Sequence, residues 1–172
     1  MDAPRWLDER EERAWRGYRR MRRLLDLELA RELAQDAGLS EPDYDVLSDL
    51  SETPDQRLRL SELADRMLWS RSRLSHHLTR MQQRGLVTRE ECASDGRGSV
   101  IALTPAGRRA IEAAAPGHVA AVRRHLIDLL TPDEIEALGA LTHRVVDHLT
   151  APARPGDDRP RRAAPTPAGP EL

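Results

Sequence analysis

The sequence predicts a mainly α-helical protein with a small β-hairpin wing: a winged helix-turn-helix with N- and C-terminal helices suited to dimerisation. Three observations carry this. Two short amphipathic helices, LRLSELADRM and SRSRLSHHLTRMQQRG, follow one another with only a tight connection between them. Two strand-like runs then flank a polar, Gly-containing tip in LVTREECASDGRGSVIALTPAGR. Long helical patterns stand on either side of this unit.

From the N-terminus, Asp8 to Gln35 is a run of good helix formers with no Pro, and Trp15, Tyr18, Met21, Leu25, Leu29 and Leu33 recur at helical spacing. Ala37-Gly38 ends it. Ser40 caps a second helix with Pro42 near its start, whose buried face is Tyr44, Val46, Leu47 and Leu50. Thr53-Pro54-Asp55 is the turn that closes it. Ser61 is the expected N-cap for Glu62 to Met67, with Leu63, Ala64 and Met67 facing inward. Trp69-Ser70 connects to the next helix, which Ser70 caps and along which Leu74, Leu78 and Met81 make one apolar stripe. Its other surface is expected to present Arg71, Arg73, Ser75, His76, His77, Thr79 and Arg80, with packing of His77 against the hairpin as the alternative.

Gly85 is the expected C-terminal cap, and Leu86 to Glu90 and Ser99 to Leu103 the two strands. Thr104-Pro105 starts a helix running towards Leu130, with a kink or break expected at Pro116-Gly117. Thr131-Pro132-Asp133-Glu134 starts the last one, whose Ile135, Leu138, Leu141, Val145 and Leu149 form a heptad-like seam. The segment from Ala151 holds six of the twelve prolines and little that is apolar, so it reads as a disordered tail. The resulting division is 1–38 for the first dimerisation helix, 39–109 for the winged lobe, 110–150 for the closing dimerisation helices and 151–172 for the tail.

The formal net charge of -2 says nothing about nucleic acid, but its distribution does. Residues 1–65 carry 11 Arg against 17 acidic residues, whereas residues 66–109 carry 9 Arg against 3. Cations clustered on one unit are what counterion release from a phosphate backbone requires. All 27 basic residues are Arg, which reads as compositional bias and carries no functional weight here. No apolar run approaches a membrane span and no signal-peptide pattern opens the chain, so a cytoplasmic protein without a membrane partner is expected.

The single cysteine, Cys92, excludes an intrachain disulfide, and its acidic neighbours Glu90, Glu91 and Asp95 disfavour a thiolate. No two of the six histidines show the i, i+4 pairing that favours zinc on a helix, so no metal and no cofactor is expected. A catalytic role finds no support either, since no Gly-rich phosphate loop or nucleophile setting is present. The basic second helix instead suits the major groove, whose hydrogen-bond patterns distinguish base pairs. Ser70, Arg71, Ser72 and Arg73 at its N-terminus, then Ser75 and His76, are the candidate DNA contacts, and Arg80, near the far end, is expected to meet phosphate or an acidic partner rather than a base.

The order of elements, together with SELADRMLWSRSRLSHHLTRMQQRGLVTRE, the Asp95-Gly96-Arg97 tip and LTPAGR, resembles the multiple-antibiotic-resistance regulator (MarR) family of bacterial repressors over about Ala14 to Leu149. The resemblance implies a homodimer built from the first and last helices, a palindromic double-stranded DNA operator and release by a small aromatic or acidic effector. It also implies that Arg97 enters the minor groove while Asp95 holds its guanidinium; the alternative is an exposed turn pair of little energetic weight. Gly96 stands where the family usually has Arg. For the effector, the resemblance points to Trp15, Tyr18 and Tyr44, with Arg19 or Arg22 as countercharge, and core packing as the alternative fate of these aromatics. A winged-helix protein-interaction module without sequence-specific DNA binding is the competing function, and it would be expected to have a neutral or acidic second helix and wing.

Overall fold

The computed structural model of the chain describes residues 4–91 and 99–151. The expectations for Cys92, Asp95, Gly96 and Arg97, and for the tail from residue 152 onward, lie outside the described residues. The fold is mostly helical with one small sheet. It comprises two compact units, residues 1–129 and residues 130–172.

Helix α1 (Glu9–Ala37) begins at Asp8, whose carboxylate accepts from the backbone of Arg10 and Glu11, both at 2.8 Å, while Glu11 returns a bond to the Asp8 amide at 3.0 Å. That reciprocal arrangement satisfies amide donors that have no partner within the helix. Gly38, at φ +63°, ends α1 in the left-handed region that a side chain rarely adopts. Helix α2 (Glu41–Ser51) starts at Ser40 with the same device, here using Asp43.

A strand without any periodic signal follows the turn: β1 (Arg57–Arg59). It leads directly into α3 (Leu60–Arg66), so the helix starts before Ser61. Ser61 is therefore not the cap; Arg59 is, and its amide is satisfied by the Glu62 carboxylate at 3.1 Å. Helix α4 (Arg71–Gln83) is capped by Ser70 as expected, and Gly85 follows it at φ +71°. Strands β2 (Val87–Glu91) and β3 (Ser99–Leu103) complete an antiparallel sheet in the order β1-β3-β2, with Leu58 opposite Ile101 and Arg89 opposite the same Ile101 from the other side. From the two outer strands, Arg57 and Glu90 pair at 2.7 Å.

Helix α5 (Pro105–His125) is capped by Thr104 and runs unbroken through Pro116, contrary to the break admitted by the sequence. Pro116 removes one amide donor, but Ala114 and Ala121, two turns apart on either side of it, are both buried and hold one face against the neighbouring helices. A short 3-10 turn at Ile127–Leu129 follows. On α1, Glu32 accepts from Arg124 and from His125 Nε2, the latter at 2.7 Å, and the His125 bond is the main reason its carboxyl is held below the ordinary value.

The core of the first unit is built from Val46, Leu47 and Leu50 of α2, Leu63 of α3, Leu74, Leu78 and Met81 of α4, and Ile101 of β3, all fully buried. Each contributes about 1.5 to 3 kcal/mol by leaving water, and the α4 stripe helps to seat that helix against α3 and β2. Helix α6 (Pro132–Thr150), capped by Thr131 with Glu134, has no buried residue. Ile135, Leu141, Val145, Val146 and Leu149 on it are exposed. No helix among the described residues is long and apolar enough to cross a membrane.

Candidate nucleic-acid interface

At 100° per residue, the buried positions of α4 (Leu74, His77, Leu78 and Met81) fall within one sector of the helix. Ser72, His76, Thr79 and Gln83 line the opposite side, with Arg73 and Arg80, seven residues apart, along one edge. Ser70, Arg71, Ser72, Arg73, His76 and Arg80 are exposed, as a groove-reading surface requires. Ser75 is half-buried, and its hydroxyl accepts from Arg89 Nη2 of β2 at 3.2 Å. That bond ties the hairpin to the helix and occupies a group expected to face DNA.

His77 departs from the expected surface. It is only 6% exposed, and it packs neither outward nor against the hairpin but towards α2. Its Nε2 lies 3.1 Å from Asp43 Oδ1, off the ideal hydrogen-bond line. Its Nδ1 lies 3.2 Å from Arg80 Nη2, and the Trp69 ring meets it edge-on at 5.6 Å. Burial pushes the imidazole below its ordinary pKa, against the pull of Asp43.

Asp43 is the centre of this cluster. Besides capping α2, it receives Arg84 Nη1 at 2.7 Å, and Arg84 Nη2 donates to the Gly38 carbonyl at 2.9 Å. Burial pushes its carboxyl up, but the bonds from Ser40 and Arg84 outweigh burial and hold it below the ordinary carboxylate range. The end of α4 is thereby bonded to the junction where α1 passes into α2.

Pairing sorts the arginines of the basic segment. Arg66 meets Asp49 at 3.6 Å, Arg84 meets Asp43, and Arg108 meets Glu112 at 3.3 Å, so much of their charge is neutralised locally. Arg71, Arg73 and Arg80 make no ion pair with a carboxylate among the described residues, and the first turn of α4 carries no acidic residue. Three exposed, uncompensated cations flank the exposed side of a capped helix, Arg71 on one edge and Arg73 and Arg80 on the other, and with the N-terminal dipole they form an anion-attracting surface. Arg73 additionally lies over the Trp69 ring, 3.7 Å from its centroid.

The expected effector residues separate into two groups. Trp15, Tyr18, Arg19 and Arg22 stand at i, i+3, i+4 and i+7 on one face of α1, where Trp15 and Tyr18 stack at 5.8 Å and Arg19 lies 5.8 Å over the Trp15 ring. All four are exposed. Tyr44 is not brought to them; its ring meets that of His118 of α5 at 4.3 Å, tilted by 36°, near the other end of α1. Leu33, which helps to bury that end, is about 22 Å along the helix axis from Tyr18. A cavity of about 40 Å³ between α1 and α5, bordered by Leu33, Gly117 and His118, is too small for an aromatic acid. A wider groove of about 300 Å³ beside Tyr44 is walled by Asp45 and Asp49, which repel an anion, and its Arg66 is already paired.

Sequence reasoning missed Arg89, Trp69 and Gln83 as parts of this surface. The period of α4 places Gln83 in line with Ser72, His76 and Thr79 and could have found it. Nothing local signals that Arg89 would reach α4, since that contact depends on how the strand crosses the helix.

A sequence profile described as MarR family matches residues 37–98 of the chain. The transcriptional regulator HosA of Escherichia coli is 30% identical over 102 residues, covering 59% of this chain and 73% of that protein. The crystal structure of AbsC, a MarR family transcriptional regulator from Streptomyces coelicolor, superposes with a TM-score of 0.81 at 43% identity, covering 85% of this chain and 98% of AbsC. Sco3205, another MarR family regulator from the same organism, solved in complex with DNA, gives a TM-score of 0.83 at 42% identity, covering 87% of this chain and 94% of Sco3205.

Proposed function

This chain belongs to the MarR family of transcriptional regulators, and on that premise we propose that it is a repressor whose homodimer sets two α4 helices into the major grooves of a palindromic operator. It is a DNA-binding regulator, and the observation that carries the detailed reading is the set of exposed cations without an ion pair among the described residues, Arg71 on one edge of α4's exposed side and Arg73 and Arg80 on the other. Ser70 and Ser72 contact the flanking phosphates, Arg73 and His76 reach base edges, and Arg80 meets the backbone. Ser75 supports Arg89 rather than DNA. From the sequence alone, Asp95 and Arg97 are assigned to the wing's minor-groove contact.

Support for the dimer comes from apolar surface left uncovered within one chain. The face of α1 that is buried at Leu33 continues as exposed Trp15 and Tyr18, and α6 exposes Ile135, Leu141, Val145 and Leu149. Uncovered seams of this length favour a second copy. Residues 1–38 and 110–150 then supply the interface and 39–109 the DNA-binding lobe. The Trp15–Tyr18 stack with Arg19 and Arg22 beside it suits an aromatic carboxylate, which makes this face the proposed effector site. The protein is assigned to the cytoplasm, where its operator lies.

The decisive experiment is an electrophoretic shift on the DNA upstream of the protein's own gene, with light scattering on the free protein. Expected are a dimeric mass and a discrete complex that survives excess random duplex. A monomer at micromolar concentration overturns the dimer, and equal competition by random DNA overturns operator recognition.

A further inference from the structure

We propose that His77 is a positioning residue for DNA binding: from inside the lobe it holds the guanidinium of Arg80 in place on the recognition surface. The inference rests on the reading of Arg80 as a DNA contact given above. The starting observation is that His77 occupies the buried side of α4 among Leu74, Leu78 and Met81, a position where another aliphatic side chain would avoid the cost of burying an imidazole.

The hydrogen-bonding chemistry assigns its tautomer. Arginine can only donate, so the 3.2 Å contact from Arg80 Nη2 makes Nδ1 of His77 an acceptor without a proton. The ring proton therefore sits on Nε2, which faces Asp43 Oδ1 at 3.1 Å. Asp43 is itself fixed by the Ser40 amide and by Arg84 Nη1, and the Trp69 edge closes the remaining side of the ring. The imidazole is thus held in one orientation, with its lone pair aimed at an exposed guanidinium that makes no ion pair among the described residues.

An arginine on a helix surface otherwise samples many rotamers, and ordering it on DNA costs free energy that subtracts from affinity. Anchoring one nitrogen beforehand reduces that cost and leaves the other donors free for phosphate. Asp43 acts one step further back, through His77. The same contact gives a physical reason for a polar residue at this core position.

The test is a double-mutant cycle on the full-length protein, read by fluorescence anisotropy with its upstream operator DNA. His77→Gln removes the acceptor at Nδ1 and is expected to weaken binding about five-fold, the scale of one side chain's ordering cost. In the Arg80→Ala background the same change should have no further effect, because nothing remains to be positioned. An equal loss in both backgrounds shows a merely structural role and overturns the proposal, as does unchanged affinity of His77→Gln alone. If Arg80→Ala itself binds like wild type, the reading of Arg80 as a DNA contact fails, a distinct result that removes the proposal with it. Nitrogen NMR of the wild-type imidazole requires no variant to fold: a bare Nδ1 and a protonated Nε2 are expected, and a proton on Nδ1 overturns the proposal.

Discussion

The guanidinium of Arg73 lies over the indole of Trp69, its central carbon 3.7 Å from the ring centroid. Trp69 is the last residue of the connection before the Ser70 cap, so the stack braces the first turn of α4 against the preceding turn. A cation over an aromatic ring near the surface is worth about 0.5 to 1 kcal/mol, enough to bias one side-chain direction of Arg73 over the half-buried indole without preventing the arginine from turning to a base. Trp69 also packs edge-on against His77. The two edge cations of α4, Arg73 and Arg80, are therefore both backed by one aromatic pair.

Base reading by Arg73 has a distinctive signature. Arg73→Ala should lose about 1 to 3 kcal/mol of affinity for the operator and less for random duplex, since a base contact discriminates and a phosphate contact does not. Trp69→Leu should reproduce part of the operator loss by freeing the arginine. Anisotropy competition with operator and random DNA reads both; equal losses on the two duplexes would place Arg73 on phosphate instead.

The helix starts were legible in the sequence because caps act locally. Ser40, Ser70, Thr104 and Thr131 each accept the backbone amide three residues on, as read from a hydroxyl residue before an apolar-periodic run. Strand β1 was not legible. Three residues with one inward side chain, Leu58, carry no periodic signal, and the strand exists because the free edge of β3 offers hydrogen bonds. The same limit applied to the site. The exposed arginines of α4 could be read from helical spacing, but the burial of His77 depends on Asp43, which lies 34 positions earlier in the chain.

Stability should depend on pH through His77. Its folded-state pKa lies below the ordinary value of 6.5, so between 6.5 and that lower value the unfolded chain binds a proton that the folded chain does not. Stability is then highest above 6.5, falls as the pH drops through this window, and stops falling below the folded-state pKa. Thermal melts of wild type and His77→Gln at pH 7.5, 6.5 and 5.5 isolate the contribution of this group from Glu41 and Asp45, whose raised values act in the opposite direction at lower pH. The wild type should lose stability relative to the variant as the pH falls. A constant difference would mean that His77 is not held neutral by burial.

Leu68 occupies the turn between α3 and α4 at φ +54°, with 83% of its surface exposed. The left-handed region costs a branched L-residue about 1 kcal/mol, and an exposed isobutyl group recovers little of it by burial. Asparagine tolerates this conformation better. Leu68→Asn should therefore raise stability by about 0.5 to 1 kcal/mol, seen as a Tm a few degrees higher. A lower Tm would show that the leucine side chain is covered in the assembled protein.

Gly107 explains why the start of α5 carries glycine where helix propensity alone favours alanine. A Cβ built there would stand 2.1 Å from the Leu86 carbonyl oxygen and 2.9 Å from Leu103 Cδ1. The carbonyl belongs to the backbone between α4 and β2, and it already accepts from the Thr104 amide at 3.2 Å and lies 3.0 Å from the Thr104 hydroxyl. It cannot move aside without breaking the cap of α5, whose Thr104 Oγ1 also accepts from the Gly107 amide at 2.9 Å. Alanine gains about 1 kcal/mol over glycine in a helix interior, whereas forcing a methyl into packed surroundings costs about 1 to 3 kcal/mol, with the upper end expected against backbone. The clash should win. Gly107→Ala is expected to be destabilised by about 2 kcal/mol net, visible as a Tm lower by several degrees, and to weaken operator binding because α5 and the end of α4 share this contact. A variant as stable as wild type would mean that the first turn of α5 can draw back from Leu86 at no cost.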